Sequence, residues 1–291
     1  MPKLKSIRIP KVTRYQNAAL ECYLGLTNSP YLHFGYWEPL PTSPEELTVS
    51  GLRAAQEAYC TRLLSYIPVG TKTVLDVGCG IGGNAAYLLA RGFAVEGLAP
   101  DTFQQSLFLQ HTYGKAPFHL SRFEEFQSPH SYELILFSES SQYLAANDLA
   151  KGAARLLHPG GYLLLADMLR VDTEYSCGIF SNCLAVSELQ AALKRYGFHL
   201  VTSEDISKQI APTIDLGVHL FRTFGLSTIN YIAKLAAIAI PPLPALTRYL
   251  FGRSVKQLIA EGMEARTIFE RHLCYQIQLW QLSESSHKPH D

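Results

Sequence analysis

The feature that most constrains the fold is a regular alternation of short apolar runs and helical patterns between residues 71 and 206. The runs that we interpret as strands are TKTVLDVG, AVEGLA, APFHLS, YELILFS, YLLLAD and HLVTSED. Strands that alternate with helices in this way need crossover connections, which produce a parallel sheet with helices on both faces. A further strand is expected in RHLCYQIQLWQL near the end of the chain, where apolar residues recur at every second position.

Turn and cap residues locate the helices between these strands. One helix is predicted from Asn84 to Arg91, because Gly92 follows it as a typical residue beyond a helix end. Further helix starts are expected at Asp101 with Gln104, at Asn147, and at Ser187 with Gln190. The sequence HPGG before YLLLAD predicts a turn.

The pattern divides the chain into four parts. Residues 1–70 are rich in aromatic side chains and predict a helical cap, and residues 71–206 form the alternating core. Residues 207–265 replace the alternation with an apolar helical pattern interrupted by prolines, and residues 266–291 hold the last strand and a tail. An insertion before the last strand can cover the carboxyl ends of the strands, where open α/β sheets bind ligands, so we interpret it as a lid.

Charge and composition argue against several classes of function. The chain has 25 basic and 25 acidic residues without a long basic run, which argues against a nucleic-acid partner. No apolar segment follows the basic N-terminal residues, so no signal peptide is expected, and the apolar run from Leu235 to Leu246 is too short to span a bilayer. The six cysteines are scattered without a CxxC pair, which indicates reduced thiols in a cytoplasmic protein and no metal site.

The stretch VLDVGCGIGG joins the first strand of the core to its helix and combines glycines with an acid. Gly78, Gly80 and Gly83 have the spacing G-x-G-x-x-G, which alone is weak evidence for a nucleotide and also fits a turn without a ligand. A nicotinamide or flavin cofactor would bring a pyrophosphate next to Asp76, and the two negative charges would repel each other. S-adenosylmethionine carries a sulfonium and an ammonium group, so a carboxylate beside the loop favours this cofactor.

Three motifs, in this order along the chain, resemble those of the class I S-adenosylmethionine-dependent methyltransferases. They are VLDVGCGIGGNAAYLLARG, YELILFSESSQYL and LLHPGGYLLLAD, and the resemblance covers the region from Pro68 to Asp205 together with the last strand. It implies a Rossmann-like, seven-stranded, mostly parallel sheet with an antiparallel last strand, and S-adenosylmethionine as the cofactor. HFGYW, EGLAPDTFQQ and the helical insertion resemble the subgroup that includes tocopherol, sterol, cyclopropane-fatty-acid and natural-product methyltransferases.

The resemblance also implies which residues bind the cofactor. The loop glycines would let the methionine part lie close to the backbone, and an aromatic side chain of HFGYW would cover the methyl donor. The residues assigned to this end of the cofactor are Tyr36, Asp76, Gly78, Gly80, Gly82 and Ser138.

The adenosine end departs from the pattern of the family. Ala99 stands where most members have an acid that binds the ribose, so Gln104, Gln105 or the backbone would take that role. Arg122 stands where many members have an acid near the adenine, and it would stack on the adenine or else be solvated. The backbone N–H of Phe123 could bind a ring nitrogen, and Glu124 is a possible substitute acceptor.

The resemblance points to Glu139 as the main catalytic residue, because many relatives have a glutamate at the end of the fourth strand. It would act as a general base or stabilise a cation; alternatively, it would orient the aromatic N-terminal segment or bind the ammonium group of the cofactor. Gln142 and Tyr143 stand where sterol and tocopherol methyltransferases have an acid–histidine pair, and we assign Gln142 to the substrate and Tyr143 to catalysis. His33 is a second candidate base if its ring points inward, and is otherwise structural.

The lid indicates the character of the methyl acceptor. Residues 216–251 are rich in Leu, Ile, Ala and Phe and poor in acids, which suits an apolar or amphipathic small molecule. Trp37, His219, Leu220 and Phe224 are the candidate substrate contacts, although Trp37 could equally be a hydrophobic plug and the lid residues could be lid core.

The expected reaction is O-methylation of a specialised metabolite of the polyketide, peptide or prenylated type. The alternatives are C-methylation of a quinol or isoprenoid acceptor, an NAD-dependent reductase, and a non-catalytic module that binds S-adenosylmethionine. Contact of the lid with a membrane surface is a minority hypothesis, and the sequence does not indicate an oligomeric state.

Overall fold

A seven-stranded sheet forms the centre of the computed structural model, which describes residues 20–172, 174–175, 178–228, 231, 234–235, 257 and 259–284. The strands are β1 (Thr73–Val77), β2 (Ala94–Ala99), β3 (Phe118–Leu120), β4 (Tyr132–Ser138), β5 (Leu157–Arg170), β6 (Phe198–Asp205) and β7 (Leu273–Leu282). Their order is β3-β2-β1-β4-β5-β7-β6, and only β7 runs antiparallel to its neighbours among these strands. The predicted fold class is confirmed.

Helices cover both faces of this sheet. They are α1 (Val49–Leu64), α2 (Gly83–Leu89), α3 (Thr102–His111), α4 (Ala146–Leu156), α5 (Val186–Arg195), α6 (Ser207–Leu220) and α7 (Ala265–His272). One apolar cluster joins one face of the sheet to α1, α2, α3, α6 and α7, and a second joins the other face to α4 and α5. The sheet therefore has helices on both faces, as the alternation of strands and helices predicts.

Strand β5 is longer than the sequence pattern indicates. The HPGG segment, predicted as a turn, lies within its bounds, and the pairing with β4 shifts register between Tyr132 and Leu134. Gly160 of this segment has φ of +79°, a conformation that glycine adopts easily. The first part of the strand is therefore irregular, but the strand continues past this residue. At the other end, β5 continues to Arg170 although β4 stops pairing at Ser138, so β5 and β7 project beyond the carboxyl end of β4.

The cap at Asp101 is confirmed. Its side chain accepts a hydrogen bond from the backbone N–H of Phe103 at 2.8 Å, which starts α3 directly after β2. This places α3 beside the loop that precedes α2.

The caps predicted at Asn147 and Ser187 are wrong. Helix α4 follows Ala145 and helix α5 follows Ala185, and neither start has a side-chain cap. Asn147 lies in the first turn of α4, where its Oδ1 accepts a hydrogen bond from Arg195 of α5 at 3.0 Å. Packing between the two helices, rather than capping, accounts for the position of this side chain.

The described part of the lid is helical. Helix α6 continues through a π-helical turn at Phe221–Gly225, and Arg266 of α7 forms an ion pair with Asp215 of α6 at 2.7 Å. Most of the apolar run from Leu235 to Leu246 lies outside the described residues, so its predicted role stays a prediction. Within the residues that the structure describes, none of the helices has the length and apolar character needed to cross a membrane.

Candidate active site

The loop between β1 and α2 has the backbone that its glycines predict. Gly78, Gly80 and Gly82 have φ of +71°, +52° and +90°, values that side-chain-bearing residues rarely adopt. Neighbours also leave no room for a side chain, because a Cβ on Gly78 would overlap Ser140 and one on Gly82 would lie 3.0 Å from the ring of Phe108. The loop therefore exposes backbone at the carboxyl ends of β1 and β4.

Asp76 lies in β1, immediately before this loop, and is almost fully buried at 1% exposure. Its Oδ2 atom has no hydrogen-bond partner among the described residues, and burial raises the pKa of the carboxyl to about 7. A buried carboxylate without a partner is costly unless a ligand compensates it. A cationic cofactor held against the glycine loop fits this site, as the sequence predicted.

The segment from Ser29 to Trp37, which we name the strap, lies directly on the glycine loop. A Cβ on Gly83 would overlap the backbone oxygen of Pro30, and one on Gly80 would lie 3.0 Å from Cδ1 of Leu32. Tyr36 of the strap is buried in the core on the same face of the sheet. The strap is therefore positioned to cover a ligand on the loop and to exclude water from it.

Gln56 of α1, a residue that the sequence analysis did not single out, holds the strap. Its Oε1 accepts a hydrogen bond from Ser29 Oγ at 2.6 Å, and its Nε2 donates to the backbone oxygens of His33 at 2.6 Å and Tyr31 at 3.3 Å. Gln56 is fully buried, so these bonds satisfy an amide that would otherwise destabilise the helix packing. A polar residue on the buried face of an amphipathic helix is the only signal for it in the sequence.

Trp37 anchors the other end of the strap to the lid. Its indole Nε1 donates to Thr213 Oγ1 of α6 at 2.9 Å, and the backbone N–H of Gly35 donates to the same oxygen at 3.0 Å. The ring packs in a small cluster with Leu52, Ala55 and Leu216, and Leu220 borders that cluster. This environment matches the plug interpretation of Trp37, since the ring fills the space between α1 and α6.

His33 points inward, but toward α1. Its Nδ1 lies 2.8 Å from the backbone oxygen of Phe34, its Nε2 lies 3.5 Å from Cys60 Sγ, and its ring stacks on Tyr59 at 4.2 Å. Burial lowers the pKa of the imidazole to about 4, so the ring is neutral at physiological pH. With both nitrogens engaged, this geometry supports the structural alternative for His33.

Glu139 follows β4 and has φ of +56°, in the left-handed region where a non-glycine residue is strained. Its Oε1 accepts hydrogen bonds from the backbone N–H of Phe34 at 2.7 Å and from the hydroxyl of Tyr275 at 2.9 Å. Burial raises the pKa of the carboxyl to about 8, helped by the negative charge of Asp167, while these two donors act in the opposite direction. Glu139 therefore contacts the strap through the backbone of Phe34. It combines a strained backbone conformation with a raised pKa, and both features are typical of functional sites.

Asp167, another residue that the sequence analysis did not select, lies at the level of Glu139 on β5. Its Oδ2 accepts a hydrogen bond from the backbone N–H of Ser141 at 2.8 Å, and burial raises the pKa of its carboxyl to about 6. The bond holds the short helical turn Ser141–Tyr143, in which Tyr143 is 69% exposed and Gln142 is half-buried. The final acid of YLLLAD was its only sequence signal.

The predicted adenosine contacts separate into buried and exposed groups. Ala99 is buried at the end of β2, and Gln104 is half-buried on α3. The ring of Phe123 packs edge-to-face on Phe137 in the core, so only its backbone remains a candidate contact, whereas Arg122 is exposed. Ser138 Oγ lies 3.0 Å from the hydroxyl of Tyr59, beneath the strap.

The predicted lid contacts do not converge in the described structure. His219 is exposed, Leu220 borders the Trp37 cluster, and Phe224 is 64% exposed. Across the described residues, no group of three or more His, Cys, Asp and Glu side chains could hold a metal ion.

Comparison with known families and curated proteins identifies what the chain is similar to. A family model described as a methyltransferase domain matches residues 52–203. Methyltransferase GfsG of Streptomyces halstedii is 28% identical over 62% of this chain and 70% of its own length. O-methyltransferase cnsE of Penicillium expansum is 28% identical over 68% of this chain and 74% of its own. The 27-O-demethylrifamycin SV methyltransferase of Amycolatopsis mediterranei is 25% identical over 62% and 71%.

Solved structures share the fold at low sequence identity. The [4+2]-cyclase SpnF superposes with a TM-score of 0.68 at 16% identity, over 94% of this chain and 95% of that one. Geranyl diphosphate C-methyltransferase from Streptomyces coelicolor, solved with Mg²⁺, geranyl diphosphate and S-adenosyl-L-homocysteine, has a TM-score of 0.64 at 15% identity, over 92% and 97%. At such identities these matches support the fold alone.

Proposed function

The chain belongs to the class I S-adenosylmethionine-dependent methyltransferases, since the family model covers residues 52–203, and from this premise we propose that it methylates a hydroxyl group of an apolar or amphipathic specialised metabolite. The acceptor would be of the polyketide, peptide or prenylated type. S-adenosylmethionine supplies the electrophilic methyl group, so the protein has to position the acceptor, exclude water and remove one proton.

The observation that carries this proposal is the state of the Glu139 carboxyl. Oε1 is occupied by two donors, the N–H of Phe34 and the hydroxyl of Tyr275, whereas Oε2 has no described hydrogen bond. Oε2 is therefore the atom that can take the proton of an acceptor hydroxyl. With a pKa raised to about 8, the ionised carboxyl is a stronger base than an ordinary glutamate, and we expect the transfer to become faster as pH rises toward 8.

The other residues have supporting roles in this mechanism. Asp76 and the amides of Gly78, Gly80 and Gly82 would hold the cationic end of the cofactor. The strap would cover that end, and Gln56 and Thr213 would keep the strap in place. Asp167 would hold the turn that carries Gln142 and Tyr143, the two residues we assign to the acceptor side.

Two relatives favour oxygen as the methylated atom. The proteins from Penicillium expansum and Amycolatopsis mediterranei are named as methyltransferases of oxygen. In addition, this chain has Gln142 and Tyr143 in place of the acid–histidine pair. The second candidate is C-methylation, because a carboxylate backed by a tyrosine hydroxyl could also stabilise a carbocation next to it.

The test measures methyl transfer from radiolabelled S-adenosylmethionine to a panel that contains 27-O-demethylrifamycin SV, other apolar alcohols and geranyl diphosphate. Product mass and NMR then locate the new methyl group. We expect labelled ethers from an alcohol, and a rate that falls by about 10²–10⁴-fold in Glu139→Gln while the affinity for S-adenosylhomocysteine is kept. Methylation at carbon, or a Glu139→Gln enzyme of unchanged rate, would contradict the proposal.

A further inference from the structure

A line of buried hydroxyl groups leads from the core to Glu139. The hydroxyl of Tyr275 on β7 lies 2.9 Å from Glu139 Oε1 and 2.9 Å from the hydroxyl of Tyr59 on α1. The hydroxyl of Tyr59 in turn lies 3.0 Å from Ser138 Oγ. Tyr59 and Tyr275 are both fully buried, and the mechanism described above uses the hydroxyl of Tyr275 only as an occupant of Oε1 and does not use the hydroxyl of Tyr59.

The donor-to-acceptor direction of the hydrogen bonds along this line follows from the number of protons that each hydroxyl carries. Each hydroxyl donates a single hydrogen bond. The carboxylate of Glu139 is the strongest acceptor within reach of Tyr275, and it is nearer than the alternative, the backbone oxygen of Ala166 at 3.3 Å. Once Tyr275 donates to Glu139, its oxygen is free to accept from Tyr59, and the oxygen of Tyr59 is free to accept from Ser138. All three donors then point along the line toward Oε1.

We propose that Tyr275 is a positioning residue for the methyl transfer: its hydroxyl, supported by Tyr59, fixes Glu139 Oε1 and leaves Oε2 as the atom that meets the acceptor. The inference rests on the base role of Glu139 in the proposed function. It extends that role to the antiparallel last strand, from which no catalytic part was expected. Tyr275 is otherwise unexplained, since a buried phenylalanine would fill the same space without needing a partner.

The surroundings of Glu139 make its two hydrogen-bond donors, Phe34 and Tyr275, important for the ionised form of the carboxyl. The titratable groups that interact electrostatically with its carboxyl are Tyr23, Tyr59, Tyr143, Asp167, Cys183 and Tyr275. None of these groups carries a positive charge, and Asp167 opposes the ionised form of Glu139. Among the described residues, hydrogen bonds from Phe34 and Tyr275 are therefore what favours the carboxylate that a base requires.

The test compares Tyr275→Phe with the unaltered protein and with Tyr132→Phe. Tyr132 is a matched control, because it is also buried and its hydroxyl also donates to a carboxylate, Glu96 Oε2, at 2.7 Å, on the other face of the sheet. The first readout is a carbon-13 NMR titration of glutamate-labelled protein, with the Glu139 signal assigned by its loss in Glu139→Gln. The second is the pH dependence of methyl transfer to 27-O-demethylrifamycin SV, or to the best alcohol of the panel.

We expect Tyr275→Phe to move the Glu139 titration midpoint upward by about one pH unit, because one donor to the ionised form is lost. The rising limb of the rate profile should move with it and keep its plateau. Tyr59→Phe, a second variant in case Tyr275→Phe does not fold, should give a smaller shift in the same direction, and Tyr132→Phe should give none. A midpoint in Tyr275→Phe equal to that of the unaltered protein would overturn the inference.

Failure of the proposed function has a different signature. If Glu139→Gln methylates an alcohol at the unaltered rate, Glu139 is not the base, whatever the titration shows. If Glu139→Gln is inactive and the profile of Tyr275→Phe superposes on that of the unaltered enzyme, the base role stands and only the role of Tyr275 is lost.

Discussion

Asp76 affects the empty and the loaded protein in opposite ways. In the empty protein its carboxyl is buried without a partner for Oδ2, so ionisation at neutral pH works against folding. In the loaded protein we expect the same charge to face the cationic end of the cofactor, which would offset the cost of burial. A residue with this pattern is selected for binding at the expense of stability, as is common at active sites.

Asp76→Asn should separate these two effects. The pKa of this carboxyl is raised, so the neutral form contributes stability that is complete below the unfolded value of about 4 and is lost as pH rises through about 7. At pH 8 we therefore expect the empty variant to be more stable than the unaltered protein, by roughly 4 kcal/mol at most. Affinity for S-adenosylmethionine should fall by about 100-fold or more, since one close charge pair is removed.

Denaturant unfolding at pH 5 and pH 8 and calorimetry with the cofactor measure the two quantities. Asp101→Asn, just after the next strand, is the matched control, because asparagine can still cap α3 and should change neither quantity much. An Asp76→Asn protein that binds the cofactor normally would remove the assignment of this residue.

At the scale of elements, the strap lies directly on the glycine loop, so we expect its position to affect what the loop can bind. It packs on α1 through Gln56, on α6 through Thr213, and on the end of β4 through Glu139. These contacts come from three separate elements, so the strap depends on the assembled fold and contributes little to forming it.

Gln56→Leu should loosen the strap while leaving the sheet intact. The substitution keeps the volume but leaves Ser29 and two backbone oxygens buried without their donor or acceptor, at about 1–3 kcal/mol each. We expect roughly tenfold weaker cofactor binding. Of the two tryptophans, Trp280 is fully buried in the sheet, so a red shift of the emission would report on Trp37.

Glu57→Gln, one residue further along α1 on the exposed side, should change neither binding nor emission. Normal cofactor affinity in Gln56→Leu would mean that the strap does not contribute to the site.

How far the sequence predicts the elements depends on the range of the interactions that form them. β1, β2 and β4 are short apolar runs bounded by turn residues, and their predicted cores agree closely with the structure. The starts of α4 and α5 were mispredicted, because these helices begin after Ala145 and Ala185 without a side-chain cap, and Asn147 bonds Arg195 of α5 instead. Asp76 and the loop glycines could be identified because an acid in a buried strand and a G-x-G turn are local signals.

Glu139 could be selected by resemblance, but Gln56, Thr213 and Tyr275 could not be identified, because only their distant partners give them a role. Phe34 and Glu139 are 105 positions apart, and Tyr275 and Glu139 are 136 apart. Such pairs follow from the strand order, which brings β7 beside β5, and no local pattern in either segment marks them.

At the scale of the whole molecule, three acids lie toward the carboxyl ends of the adjacent strands β1, β4 and β5; Asp76 and Asp167 are buried, and Glu139 is half-buried. Asp76, Glu139 and Asp167 all have a pKa raised by burial, to about 7, 8 and 6. The folded protein therefore holds these protons up to a higher pH than the unfolded chain does. The parallel strands end on this side of the sheet, and the glycine loop begins there.

The stability of the empty protein should accordingly fall as pH rises from about 6.5 to 8. In this window Asp76 and Glu139 lose their stabilising neutral forms. Asp167 has already lost its own by about pH 6, and the lowered pKa of His33, near 4, affects stability only below about pH 6.5. Melting temperature measured across this window checks the slope. Saturating S-adenosylmethionine should flatten the slope, because a bound cation favours the ionised acids; a melting temperature that rises with pH in the empty protein would contradict the expectation.

The hydroxyl of Thr213, which accepts hydrogen bonds from both Gly35 and Trp37, has a consequence for the kinetics of turnover. It ties the strap to α6, the helix that leads into the predicted lid, so we expect the strap and the cofactor to stay in place while an acceptor is bound. Catalysis should then follow a compulsory order, with S-adenosylmethionine binding first and S-adenosylhomocysteine leaving last. Product inhibition would show this order as competition between the two forms of the cofactor and non-competitive inhibition against the acceptor.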